Sequence, residues 1–92
     1  MKNRILNNEV TLIGKVTNEI MTTNLGERSA IKLYLLVDDD EVCNKHNKIP
    51  VYFISNEIEC VKRLIDKEII IEGHIEYNLE NYIIIDLFGI IE

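Results

Sequence analysis

Ile49-Pro50-Val51-Tyr52-Phe53-Ile54, then Ser55-Asn56-Glu57-Ile58-Glu59-Cys60-Val61-Lys62-Arg63-Leu64-Ile65, then Glu68-Ile69-Ile70-Ile71-Glu72-Gly73-His74-Ile75 is the stretch that decides the fold, because its hydrophobic period changes twice. The first segment is β-branched and aromatic and too short for anything but a strand, with Pro50 required to sit where no ladder donor is needed. In the second, Ile58, Val61, Leu64 and Ile65 recur at three and four residues and form one apolar stripe, which predicts a helix of about three turns. Ser55 or Asn56 caps it, Asn56 and Glu59 stand at capping-box spacing, and Lys62, Arg63 and Lys67 lie toward the C-terminal end, where positive charge complements the helix dipole. The third segment returns to strand.

Toward the N-terminus, Glu9–Val16 alternates with Val10, Leu12 and Gly14 on one face and Thr11, Ile13 and Lys15 on the other, the period of a first strand. Ile20-Met21-Thr22 prolongs it after a bend, and Thr23-Asn24-Leu25-Gly26-Glu27 supplies a turn. Ala30–Val37 is a second strand with Ile31, Leu33, Leu35 and Val37 inward and Lys32, Tyr34 and Leu36 outward. Asp38–Asn47 reads as a polar loop. Tyr82–Ile91 is a fifth strand, joined to the fourth through the hairpin Tyr77-Asn78-Leu79-Glu80-Asn81. The expectation is a single domain over residues 1–92, with 1–8 a flexible N-terminal arm. Its fold class is all-β with one short helix: a five-stranded oligonucleotide/oligosaccharide-binding (OB) barrel with the helix between strands 3 and 4.

The chain has 92 residues and a formal charge of −6, which argues against a general polyanion binder. Apolar residues make up 47% but are broken everywhere by charge, so no run approaches the roughly 18 residues of a membrane span. Cys43 and Cys60 fit no paired metal spacing, and no secretory signal opens the chain, so a reducing cytoplasm is the expected location. The abundance of Ile, Asn, Lys and Glu points to AT-rich codons and a low-GC bacterium or its mobile elements. No nucleophile motif, Gly-rich phosphate loop or metal signature is present, so neither an enzyme nor a cofactor is expected. Cys43 and His46 have C-x-x-H spacing without the second pair that a structural zinc needs. Asp38-Asp39-Asp40-Glu41 lacks the alternation of a calcium loop and reads as a solvated turn that repels phosphate. His74 reads as a surface residue.

Three stretches resemble the bacterial single-stranded DNA-binding protein family and its relative, the primosomal replication protein. Glu9–Val16 is similar to the family's first strand, Val51–Ile54 with the helix to Leu64 to its third strand and helix, and Glu68–Ile75, with its apolar run ending in Glu-Gly, to its fourth strand. The chain departs from the family in having no Trp, a short last hairpin, Asp66-Lys67 where a Gly often precedes the fourth strand, and no acidic tail after Glu92. The primosomal type also lacks that tail and is the better likeness. The resemblance implies a single-stranded DNA-binding protein of replication or mobile-element transfer, with RNA left open as a ligand. It also implies a replication or transfer protein as partner, while the small core and the apolar side chains on both faces of the first and second strands predict a homodimer or homotetramer, the dimer foremost.

On that reading Tyr34 and Tyr52 point outward from strands two and three and stack on bases, each contact being worth roughly 1–3 kcal/mol. Lys32 and Lys48 share their surface and take phosphates, Lys15 and Arg28 do so beside the first hairpin, and Tyr77 and Tyr82 flank the last one. Removing Tyr34 and Tyr52 together is expected to spare the fold, since both have outward parity. The competing reading is a protein-interaction module that does not bind nucleic acid, in which outward Ile13, Leu36, Ile54 and the tyrosines pack on another subunit.

Overall fold

The alternation at the start of the chain continues into β2 (Glu9–Leu25), the longest strand of a computed structural model that describes residues 4–6, 8–39, 45–77 and 81–91. Val10, Leu12 and Val16 turn inward and are buried, while Thr11 and Ile13 are half-buried and Lys15 is exposed. A bulge between Val16 and Ile20 bends the strand and lets its two halves serve different neighbours. The second half pairs with β3 (Arg28–Asp39), and the first half pairs with β5 (Glu68–Tyr77). The remaining strands are β1 (Arg4–Leu6), β4 (Lys45–Phe53) and β6 (Asn81–Ile90).

The expected five-stranded barrel is corrected by this topology. The strands form one six-stranded sheet in the order β1-β2-β3-β4-β6-β5, with an additional pairing between β2 and β5. Two features account for the difference. β1 adds a strand to the edge of β2 through Arg4↔Thr11, Ile5↔Val10 and Leu6↔Glu9. The ring is also barely joined at its far side, where β4 meets β6 in parallel through only Tyr52↔Ile84 and Phe53↔Ile85. β4 ends at Phe53, so most of its length, Pro50 included, lies outside that join. The result is a strongly coiled sheet and not a true barrel. The helix does fall where it was expected, between the strands that contain Val51 and Ile69.

That helix is shorter than the apolar stripe predicts. α1 spans only Ile58–Lys62, and Glu57 at its N-cap makes no side-chain capping bond. The Ser55 hydroxyl instead accepts the Glu57 N–H at 3.1 Å. Beyond Lys62 the chain tightens: the N–H groups of Leu64, Ile65 and Lys67 reach carbonyls three residues back. Asp66 takes a positive φ of 69°, and its N–H donates to the Val16 carbonyl at 2.8 Å while the Val16 N–H donates to the Lys67 carbonyl at 3.0 Å. The turn is thus sewn to the bulge of β2. Val61 and Leu64 still reach the core.

The polar loop after the second strand is also shorter than expected, because β3 runs on to Asp39 and β4 begins at Lys45. Asp40, Glu41 and Cys43 lie outside the described residues. The core is built from inward positions of every long strand, with Ile31, Leu35, Val51 and Ile71 fully buried. Backbones approach closely at Gly73, beside a register shift in the β5–β6 ladder, where a Cβ would overlap the Ile84 carbonyl oxygen. Among the described residues no helix is long and apolar enough to cross a membrane.

Candidate nucleic-acid interface

Parity on β3 sends Lys32, Tyr34 and Leu36 to the outer face, since Ile31, Leu33, Leu35 and Val37 are buried beneath. The ladder then aligns partners from β4: Lys32 opposite Tyr52, Tyr34 opposite Pro50 and Leu36 opposite Lys48. Lys15 of β2 lies opposite Leu36 on its other side, so Lys15, Leu36 and Lys48 form one row across three strands. The β4–β6 join extends another row, two rungs on, from Lys32 and Tyr52 to Ile84.

Within this face the Lys32 ammonium stands 5.2 Å from the centre of the Tyr34 ring and 5.9 Å from that of Tyr52. The Lys48 ammonium stands 5.5 Å from the Tyr34 ring. All three distances are those of cation–π contacts. Hydrogen bonding to Tyr34 raises the Lys32 pKa above its ordinary value, so the cation is held. Tyr82 of β6 meets Tyr52 edge-to-face, with centroids 5.0 Å apart and planes at 80°. Lys32, Tyr34, Lys48 and Tyr52 therefore share one surface, Lys15 lies in line with them, and Tyr82, which the sequence placed beside the last hairpin, joins them through Tyr52.

Other expected residues are placed differently. Tyr52 has the outward parity anticipated but is only 8% exposed, because Tyr82 and Ile84 are carried against it by the join with β6. The expectation that its removal spares the fold is corrected accordingly. Lys48 also pairs with Glu19, which the bulge of β2 presents. Arg28 is held by Glu76, donating from Nη1 to Oε2 at 3.2 Å and from Nη2 to Oε1. Tyr77 ends β5, and its side chain lies outside the described residues.

The Arg28–Glu76 pair belongs to a larger chain of charge that sequence reasoning missed. His74 faces Asp86 through Nδ1 at 2.9 Å and Glu76 through Nε2 at 3.1 Å. Arg28 sits at the β2–β3 hairpin and the other three sit on β5 and β6, so the network ties two hairpins together. Arg28, followed by His74, lowers the Glu76 pKa to about 2, and Asp86, followed by Glu76, raises that of His74 from 6.5. No local motif announces these partners, since Arg28 and Glu76 meet only through the sheet's curvature. Among the described residues no group of three His, Cys, Asp or Glu is arranged to hold a metal ion.

The fold is that of single-stranded-DNA-binding proteins. The N-terminal domain of PriB protein from Thermoanaerobacter tencongensis, a dimeric structure, superposes with a TM-score of 0.72 at 19% identity, covering 95% of this chain and 99% of that one. The mitochondrial single-stranded DNA-binding protein Rim1 from S. cerevisiae gives 0.72 at 7% identity, with coverage of 100% and 97%. The small single-stranded DNA-binding protein from Streptomyces coelicolor gives 0.62 at 12%, with coverage of 98% and 94%. No family model and no curated protein matches the sequence.

Two outcomes follow from this geometry. Tyr52→Ala is expected to cost about 3 kcal/mol in urea unfolding, while Tyr52→Phe, which keeps the ring against Tyr82, changes stability by much less. An unchanged midpoint for the alanine variant would show that the ring is not packed. The second concerns pH. A histidine whose pKa is raised on folding stabilises the protein fully below its ordinary 6.5 and loses that contribution as pH rises through the raised value. The melting temperature is therefore expected to decline over that interval and the decline to vanish in His74→Gln, with the His74 ring titrating above 6.5 by NMR.

Proposed function

We propose that this protein binds single-stranded nucleic acid, DNA foremost, across the face formed by Lys32, Tyr34, Lys48, Tyr52 and Tyr82, with Lys15 in line. One observation carries the reading: Lys32 holds a cation between two aromatic rings on the outer face of a fold shared with solved single-stranded-DNA-binding proteins. Rings take bases by stacking without regard to sequence, and ammonium groups take phosphates. Lys32 and Lys15 have no carboxylate partner among the described residues, whereas Lys48 and Arg28 do. With a total charge of −6, few phosphates are neutralised, so binding is weak and strongly salt-dependent. The protein acts by binding, not catalysis, in DNA replication or mobile-element transfer.

A second reading concerns assembly. Leu87 is 59% exposed and Ile90 51% in β6, and Ile91 just past it 48%, an apolar group that a monomer of this size would leave in water. We infer that a second copy covers it, forming a homodimer, as the description of the PriB N-terminal domain as dimeric supports.

Titration of labelled polythymidine at low salt is expected to show binding that weakens as salt rises and exceeds that of duplex of equal length; Tyr34→Ala lowers affinity about tenfold. A flat titration removes the reading. Light scattering at micromolar concentration is expected to give twice the chain mass, and Leu87→Lys to return a monomer; a monomeric parent protein refutes the dimer.

A further inference from the structure

Among the described residues, three buried apolar side chains stand outside the core cluster: Ala30, Tyr52 and Ile84. Each has the outward parity of its strand. Ala30 lies between Arg28 and Lys32 on β3, Tyr52 pairs with Lys32, and Ile84 pairs with both Tyr52 and His74. Outward residues of a sheet are shielded only where something lies over them, yet Ala30 is 1% exposed and Ile84 2%. Tyr82 supplies part of the cover through its ring contact with Tyr52. Further cover has to pass outside β4 and β6.

The Arg28–Glu76 pair makes that crossing. Arg28 projects outward, opposite Leu25 and two rungs beyond Thr23↔Ala30. Glu76 projects outward with His74, because Ile75 between them packs against the core. In sheet order β3 and β5 are separated by β4 and β6 on one side and by β2 on the other. The β2 side offers no route: Arg28 lies at the C-terminal end of that strand and Glu76 past Glu9↔His74 at its N-terminal end, so nearly its whole length separates them. The guanidinium therefore meets the carboxylate outside β4 and β6, and joins the β2–β3 hairpin to the β5–β6 hairpin across the tyrosine face. His74, itself held by Asp86, anchors Glu76 from the other side at 3.1 Å.

We propose that the Arg28–Glu76 pair is a latch that holds the two hairpins shut over Ala30, Tyr52 and Ile84, and that a single strand binds to the open form, in which Arg28 is released to a phosphate. The strand half of this proposal rests on the reading of the tyrosine face; the closure does not. An exposed ion pair holds with little energy, so the open form is accessible, and the latch lowers apparent affinity in proportion to the closed fraction.

Closure is read without nucleic acid. In protein labelled with fluorotyrosine, the Tyr52 signal, assigned by its loss in Tyr52→Phe, is expected to resist a soluble paramagnetic chelate in the parent and to broaden in Arg28→Ala. Equal protection in the two proteins overturns the latch. Its effect on strands is read by locking it. With Cys43→Ser and Cys60→Ser as background, a short bismaleimide bridging the thiols of Arg28→Cys/Glu76→Cys is expected to lower polythymidine affinity about tenfold relative to the same variant with each thiol capped singly. A bridged protein that binds as well as the capped one overturns the gating. Glu76→Gln, which keeps Arg28, is expected to bind about threefold tighter, in line with the worth of an exposed ion pair. Glu72→Gln removes an equal charge from the same outer face without touching the pair and is expected to change affinity less; equal gains in the two variants overturn the gating. A protein whose Tyr52 opens in Arg28→Ala but which binds strands in no form keeps the latch and loses the strand reading.

Discussion

Two parallel pairs, Tyr52↔Ile84 and Phe53↔Ile85, make the backbone join of β4 to β6 among the described residues, and the character of the molecule depends on them. They draw the last strand under Tyr52, bring Tyr82 edge-on to its ring and set Phe53 edge-on to Phe88 at 5.8 Å. Without that join β4 and β6 would be opposite edges of the sheet, connected the long way round through β3, β2 and β5, and Tyr52 and Tyr82 would not meet. Because the contact is short, side chains carry much of the closure. Tyr52 is thus a structural residue as well as a member of the candidate site, and its two roles cannot be separated by truncation alone.

The distribution of charge explains how an acidic protein can present a cationic face. Ion pairs with Glu19 and Glu76 occupy Lys48 and Arg28, while Lys32 is stabilised by rings, whose faces attract a cation without neutralising it. The net charge of −6 therefore describes the whole surface and not this patch. Exposed ion pairs of this kind contribute little to stability, and phosphate oxygens can compete for their cations.

How much of this was legible in the sequence follows from the range of each interaction. Alternation in Glu9–Val16 and Ala30–Val37 depends only on neighbours two residues apart, so inward and outward sets were read correctly from the chain. The place of the helix was equally plain, but its length was not: the stripe from Ile58 to Ile65 persists through tight turns once Asp66 and Lys67 are tied to Val16, and a sequence pattern does not distinguish these from an α-helix. Convergence of Lys32, Tyr34, Lys48 and Tyr52 required only one hairpin register. The burial of Tyr52, the β1 addition and the Arg28–Glu76–His74–Asp86 network required knowing which distant strands meet, and local propensity holds no record of that.

The double duty of β2 has a kinetic consequence. Its first half completes its ladder only with β5, from Lys15↔Glu68 to Glu9↔His74, across most of the chain, whereas its second half closes with β3 through an adjacent turn at Gly26. Loop-closure entropy opposes the distant ladder far more than the near one, and non-local pairing of this sort slows folding. The β2–β3–β4 meander can assemble early from local contacts, carrying Lys32, Tyr34 and Lys48 with it. β5 and β6 must dock afterwards, and until they do the inward side chains of the bulged strand stand exposed, making the order of synthesis, in which β2 waits longest for its last partner, the period when the chain is most open to association with its neighbours.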